Sequence, residues 1–184
     1  VLCEKPMAMN AEQARQMIDV ANYHDRKLAI HFNHRMHPEI HTLRSYLEAG
    51  DLGEVYFART FWHRRRGIPA RESFLSMEHA GGGAMIDLGV HMLDQTLFLL
   101  GYPAVTSVSA QTYTKFHEKD VPAIPMDVDD FALALLRLET GATLEMEISW
   151  AGHHDTNEQT LVQLYGTDGG ARREWRPGQG TDCH

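Results

Sequence analysis

The chain has 184 residues, 43% of them hydrophobic, enough to bury the core of one domain or slightly more. Its 25 acidic residues outnumber 17 basic ones, for a formal net charge of -8, which excludes nucleic acid or an anionic membrane as the main partner because both select basic surfaces. Cys3 and Cys183 stand at opposite ends and make no disulfide framework, and no apolar run approaches the roughly 18 residues of a membrane span, so a soluble protein of a reducing, cytoplasmic compartment is expected.

The opening "VLCEKP" is an apolar segment running straight into a motif, and the ending "ARREWRPGQGTDCH" breaks off just after a strand begins; both suggest the interior of a longer protein. Asn10 with Gln13 forms a capping box ahead of Ala14, Met17, Ile18 and Ala21, which predicts a helix over 10–24. "KLAIHF" (27–32) reads as a short buried strand, and Pro38 opens a second helix that carries Ile40, Leu43 and Leu47 on one side and stops at Gly50.

The period then changes. Residues 54–62, 105–113, 130–138, 142–150 and 160–166 alternate as strands. In 142–150 the alternation sets Ala142, Leu144, Met146, Ile148 and Trp150 on one face against Thr143, Glu145, Glu147 and Ser149 on the other, so one side of the sheet is buried and the other meets water or a polar interface. Trp150 reads as core or sheet interface. Thr140-Gly141 predicts a hairpin turn, and sequential strands joined this way predict an antiparallel meander. A helix over 84–100, stopped by Gly101, interrupts the strands, and the whole predicts an α+β layer architecture.

That helix carries the first chemical signal. In "GGGAMIDLGVHMLD" (81–94), at about 100° per residue, His91 and Asp94 fall within about 40° of Asp87, all on one face. A histidine that titrates near neutrality beside a carboxylate suits general acid/base chemistry, and the three glycines let backbone amides at the helix start approach a ligand. The second signal is "EKP", Glu4-Lys5-Pro6, at the end of an apolar strand, where α/β sheets bind ligands.

"EKP", "NHRMHP" (33–38), "AGDLGEV" (49–55), "GGGAMIDLGVHMLD" and "VDDFALALLRLETGATLEMEISWA" (128–151) resemble, in that order, motifs of the Gfo/Idh/MocA family of NAD(P)-dependent oxidoreductases over nearly the whole chain. The resemblance implies an α/β plus α+β protein: residues 1–34 as the C-terminal end of a dinucleotide-binding Rossmann domain, and 35–184 as a truncated α+β substrate and oligomerisation domain whose mostly antiparallel open sheet makes the contacts of a homo-oligomer. It implies Lys5, Asp87 and His91 as catalytic and substrate-binding residues, and Asp94 as a structural anchor. Glu4, Lys5, Pro6, Asn33 and Arg35 become neighbours of the cofactor, NAD or NADP. The expected substrate is a sugar or polyol. His63, Arg64 and the loop "GIPARESF" (67–74) are expected to approach it, although Arg64-Arg65-Arg66 on its own reads as a solvated loop.

The G-x-G-x-x-G fingerprint is absent, since Ile86 stands where a third glycine would follow Gly81–Gly83, so the chain by itself is expected to bind the dinucleotide poorly. Two alternatives remain open. One is a non-catalytic relative that binds a sugar or a protein. The other is a metalloprotein built on His31, His34, His37 and His41, against which "HPEIH" departs from H-E-x-x-H; no metal site is expected.

Overall fold

The computed structural model describes residues 1–184. The chain begins with a parallel two-stranded unit: β1 (Leu2–Glu4), α1 (Ala11–Tyr23) and β2 (Ala29–His31), with Cys3 opposite Ile30. Asn10 caps α1 by accepting from the Gln13 amide at 3.0 Å, and the Gln13 side chain accepts from the Met9 amide. The strand expected over 27–32 shortens to three residues because β1 offers only three partners. A 3-10 turn, Asn33–Met36, leads into α2 (Pro38–Ala49), with proline at its first position and Gly50 closing it in the left-handed conformation at φ 82°.

The remainder is one sheet with helices on one face. Its elements in order are β3 (Val55–Arg64), α3 (Glu72–Leu75), α4 (Met77–Ala80), a π-helical turn (Met85–Gly89) continuous with α5 (Val90–Leu99), β4 (Val105–Tyr113), α6 (His117–Asp120), β5 (Phe131–Leu138), β6 (Thr143–Ser149), β7 (Glu158–Gly166), β8 (Gly170–Arg176) and β9 (Gly180–Cys183). The order across the seven strands is β4-β5-β6-β3-β7-β8-β9. All neighbours are antiparallel except β3 and β6, which run parallel from Phe57↔Thr143 to His63↔Ser149.

The expected simple meander is therefore corrected: β3 inserts between β6 and β7. A parallel pair needs a long crossover, and the helices together with β4 and β5 supply it. The buried face is the one predicted. Leu144, Met146, Ile148 and Trp150 join Ala58, Val162 and Leu164 in a core closed by Ile40 and Leu43 of α2 and by Leu88, Met92 and Leu99 of the π turn and α5, and Ala142 on the same face is buried as well. On the other face lie Arg59, His63, Leu133, Leu135, Glu145 and Glu147, with no helix over them.

Candidate active site

The end of β1 and the π turn meet at one carboxylate. Lys5 Nζ donates to Asp87 Oδ1 at 2.9 Å and to the Asp87 backbone carbonyl at 2.8 Å, while Trp150 Nε1 donates to Asp87 Oδ2 at 3.0 Å. The lysine and carboxylate are largely buried, which strengthens their attraction over that of a surface pair. Glu4 points elsewhere, to His31 Nδ1 at 2.9 Å, its partner in the β1–β2 ladder, and that bond lowers its carboxyl below the usual range.

His91, 8% exposed, follows at the start of α5. Its ring stacks on His34 at 4.6 Å between centroids, with Trp62 at 5.9 Å and Phe32 edge-on at 6.3 Å. Burial among these rings, with the Lys5 ammonium beside it, holds His91 down to about 4 against the upward pull of Asp87 and Asp94. His34 is held down to about 3, first by burial and then by His91. Both histidines are therefore neutral at pH 7, and the buried Nδ1 of each has no hydrogen-bond partner.

Asp94 pairs not with His91 but with Arg35, whose Nε donates at 2.6 Å and whose Nη2 takes the second oxygen. The guanidinium packs over the rings of Phe32, Tyr102 and Phe98, so this bidentate pair fastens the 3-10 turn to α5. The single face expected for Asp87, His91 and Asp94 is thus divided between two ion pairs. Asn33 is exposed at the start of the same turn.

Two expectations are corrected by the geometry. The amides of the glycine run are not free for a ligand: Gly83 N and Met85 N donate to the two carboxylate oxygens of Asp129 at 2.8 and 2.9 Å, and Ala84 N donates to the Asp129 carbonyl. Gly83 is needed because a Cβ there would lie 1.9 Å from that carbonyl oxygen. His63 lies on the helix-free face, paired with Glu147 at 3.0 Å and stacked between Phe61 and His154, because strand alternation turns it away from Trp62 and hence from His91. Arg64 lies on the inner face, bound to Glu158 at 2.7 Å, while Arg65 and Arg66 are exposed, as expected of the basic run: Arg65 donates to the carbonyls of His154 and Asp155, and Arg66 pairs with Asp120.

No three His, Cys, Asp or Glu side chains converge as a metal-binding set, so the clustered histidines of "HFNHRMHPEIH" gain no ligand geometry. Sequence reasoning missed His34, Trp62, Asp129 and the role of Trp150; the "VDD" motif was the only local signal for Asp129.

Residues 40–172 match the model of the GFO/IDH/MocA C-terminal domain. The chain is 39% identical over 173 residues to D-glucoside 3-dehydrogenase of Escherichia coli (strain K12), covering 89% of this chain and 48% of that protein. It is 34% identical over 180 residues to the rhizopine catabolism protein MocA of Rhizobium meliloti, covering 96% and 53%. The crystal structure of GenD2 from gentamicin A biosynthesis in complex with NAD matches with a TM-score of 0.82 at 28% identity, over 99% of this chain and 54% of that one. This is a chain of the Gfo/Idh/MocA family, and it spans about half the length of the curated relatives it matches.

Proposed function

We propose that the chain supplies the catalytic residues of a dehydrogenase that moves a hydride between NAD or NADP and a carbinol of a sugar or polyol. The observation that carries this reading is the Lys5–Asp87 ion pair beside a buried, neutral His91. These residues fit a nicotinamide at the carboxyl end of the β1–β2 pair, because His91 keeps an unpartnered ring nitrogen there. The names of the glucoside dehydrogenase relative and of the NAD complex support the same reading.

A bound NAD or NADP would supply the hydride acceptor for the carbinol carbon. Negative charge then builds on the carbinol oxygen, and the Lys5 ammonium stabilises it. His91, neutral at pH 7, takes the hydroxyl proton, and in the reverse direction it returns it. Asp87, fixed by Trp150, holds Lys5 in place. Glu4, Pro6, Asn33 and Arg35 would frame the cofactor at the same strand ends.

In this reading residues 1–34 belong to the dinucleotide-binding domain and 35–184 to the substrate and assembly domain. Leu133 and Leu135, 39% and 47% exposed on the helix-free face, support assembly of copies through that face. No helix is long and apolar enough to cross a membrane, and both cysteines are free, which supports a cytoplasmic setting. The test is reduction of NAD and NADP by the full-length gene product against a panel of aldoses and polyols, with Lys5→Ala beside it. Turnover that the substitution abolishes is expected; absence of cofactor binding in the full-length product would favour the non-catalytic alternative.

A further inference from the structure

A cleft of about 430 Å³ opens beside the candidate centre, on the helix-covered side of the sheet, and none of Lys5, Asp87 and His91 lines it. Its volume lies within the roughly 300–1,000 Å³ of small-molecule sites. The wall nearest the centre is aromatic: His34, stacked on His91, lies 5.1 Å from Trp62. His34, which lines the cleft, thus brings it into ring contact with His91.

The remaining surfaces are matched to hydroxyl groups. Trp62 Nε1 and Arg64 Nε both donate to Glu158 Oε1 at 2.7 Å, and the Arg64 guanidinium lies 5.3 Å from the Trp62 ring. Arg173, 3% exposed, donates through Nη1 to Thr160 Oγ1 at 3.2 Å, and its Nε has no partner. Trp175 stands directly across the ladder from Thr160 and supplies a second indole. Arg64 is neutralised by Glu158, and the field of Glu39 reaches Arg173, so the cleft does not select a strongly charged ligand. Two indoles, guanidinium donors and a carboxylate acceptor fit a neutral polyhydroxylated ring, whose C–H faces pack on the indoles while its hydroxyls bridge the charged groups.

We propose that this cleft is a second sugar subsite, holding the ring glycosidically attached to the one being oxidised, so that the preferred substrate has at least two rings. The inference rests on Lys5, Asp87 and His91 being the oxidising centre.

Two of the three tryptophans line the cleft and Trp150 is core, so tryptophan emission reports occupancy. The chain is titrated with cellobiose and maltose, and with methyl β-D-glucopyranoside as the one-ring probe, with calorimetry for the variants. At least one disaccharide is expected to bind about tenfold more tightly or better than the one-ring probe. Trp175→Ala, and independently Thr181→Trp, which fills the cleft from β9, are each expected to remove that advantage, with circular dichroism showing the fold retained. Equal affinities, an advantage that survives a folded variant of either kind, or no response to any of the sugars would overturn the inference. Hydride transfer plays no part in this readout. A full-length protein that oxidises free aldoses while the chain ignores the second ring would sink the inference and leave the dehydrogenase reading standing.

Discussion

Trp150, fully buried just beyond β6, shares the Asp87 carboxylate with Lys5: the indole takes Oδ2 at 3.0 Å and the ammonium takes Oδ1 at 2.9 Å. The sheet core thereby fixes the rotamer of the residue that holds the lysine. Trp150→Phe keeps most of the bulk and removes the donor. It is expected to cost about 1.5–3 kcal/mol of stability, the value of a hydrogen bond to a charged group, read from the denaturant midpoint. In the full-length protein it is also expected to lower kcat by roughly tenfold to a hundredfold through misplacement of Lys5, with a smaller effect on KM.

The stacked histidines set an acid limit. Folded His91 and His34 bind protons only near about 4 and about 3, against an ordinary 6.5 in the unfolded chain. Between these values the unfolded state holds more protons, so stability is complete above about pH 6.5 and falls as the pH drops through the window toward the folded values. The expected loss between pH 7 and pH 4.5, summed over the two histidines, is on the order of 5 kcal/mol. Urea midpoints at the two pH values measure it, and His34→Gln should flatten the dependence.

Asp129 is the cap of the π turn. Asp129→Ala strips two charge-assisted bonds from the Gly83 and Met85 amides and is expected to cost about 2–4 kcal/mol. Gly83→Ala attacks the same contact sterically, since the added methyl has no room beside the Asp129 carbonyl. Thermal melts of both variants check the pair; a melting temperature unchanged in either contradicts the assignment.

What was legible in the sequence is what local spacing encodes. The alternation of residues 142–150 announces its buried face because side chains alternate along any strand, and the Asn10–Gln13 capping box lies within one turn. The π turn breaks the uniform helical phase, and the Asp87 carbonyl within it receives Lys5 from 82 residues away, a contact that no 3.6-residue pattern contains. The glycine run reads as a ligand cradle until Asp129 arrives from the strand side. His34 reads as one of four clustered histidines, while its ring partner, His91, comes from a distant helix. The parallel β3–β6 pairing escapes for the same reason, since turn signals report only on strands that follow one another.

The proposed assembly face gives a further prediction. Leu133 and Leu135 stand opposite Glu147 and Glu145 on the exposed side of β5, outside the core. Leu133→Glu with Leu135→Glu is expected to convert an oligomer to a monomer in light scattering while leaving the melting temperature of the isolated fold nearly unchanged. A monomeric wild type, or an oligomer that persists in the double variant, contradicts assembly through this face.

His91 as the proton acceptor is the central claim, and single-turnover hydride transfer by His91→Ala in the full-length protein, followed by NADH or NADPH absorbance under saturating sugar, tests it most directly. A fall of about 10²- to 10⁴-fold with dinucleotide affinity retained is predicted. Hydride transfer at the wild-type rate would contradict it.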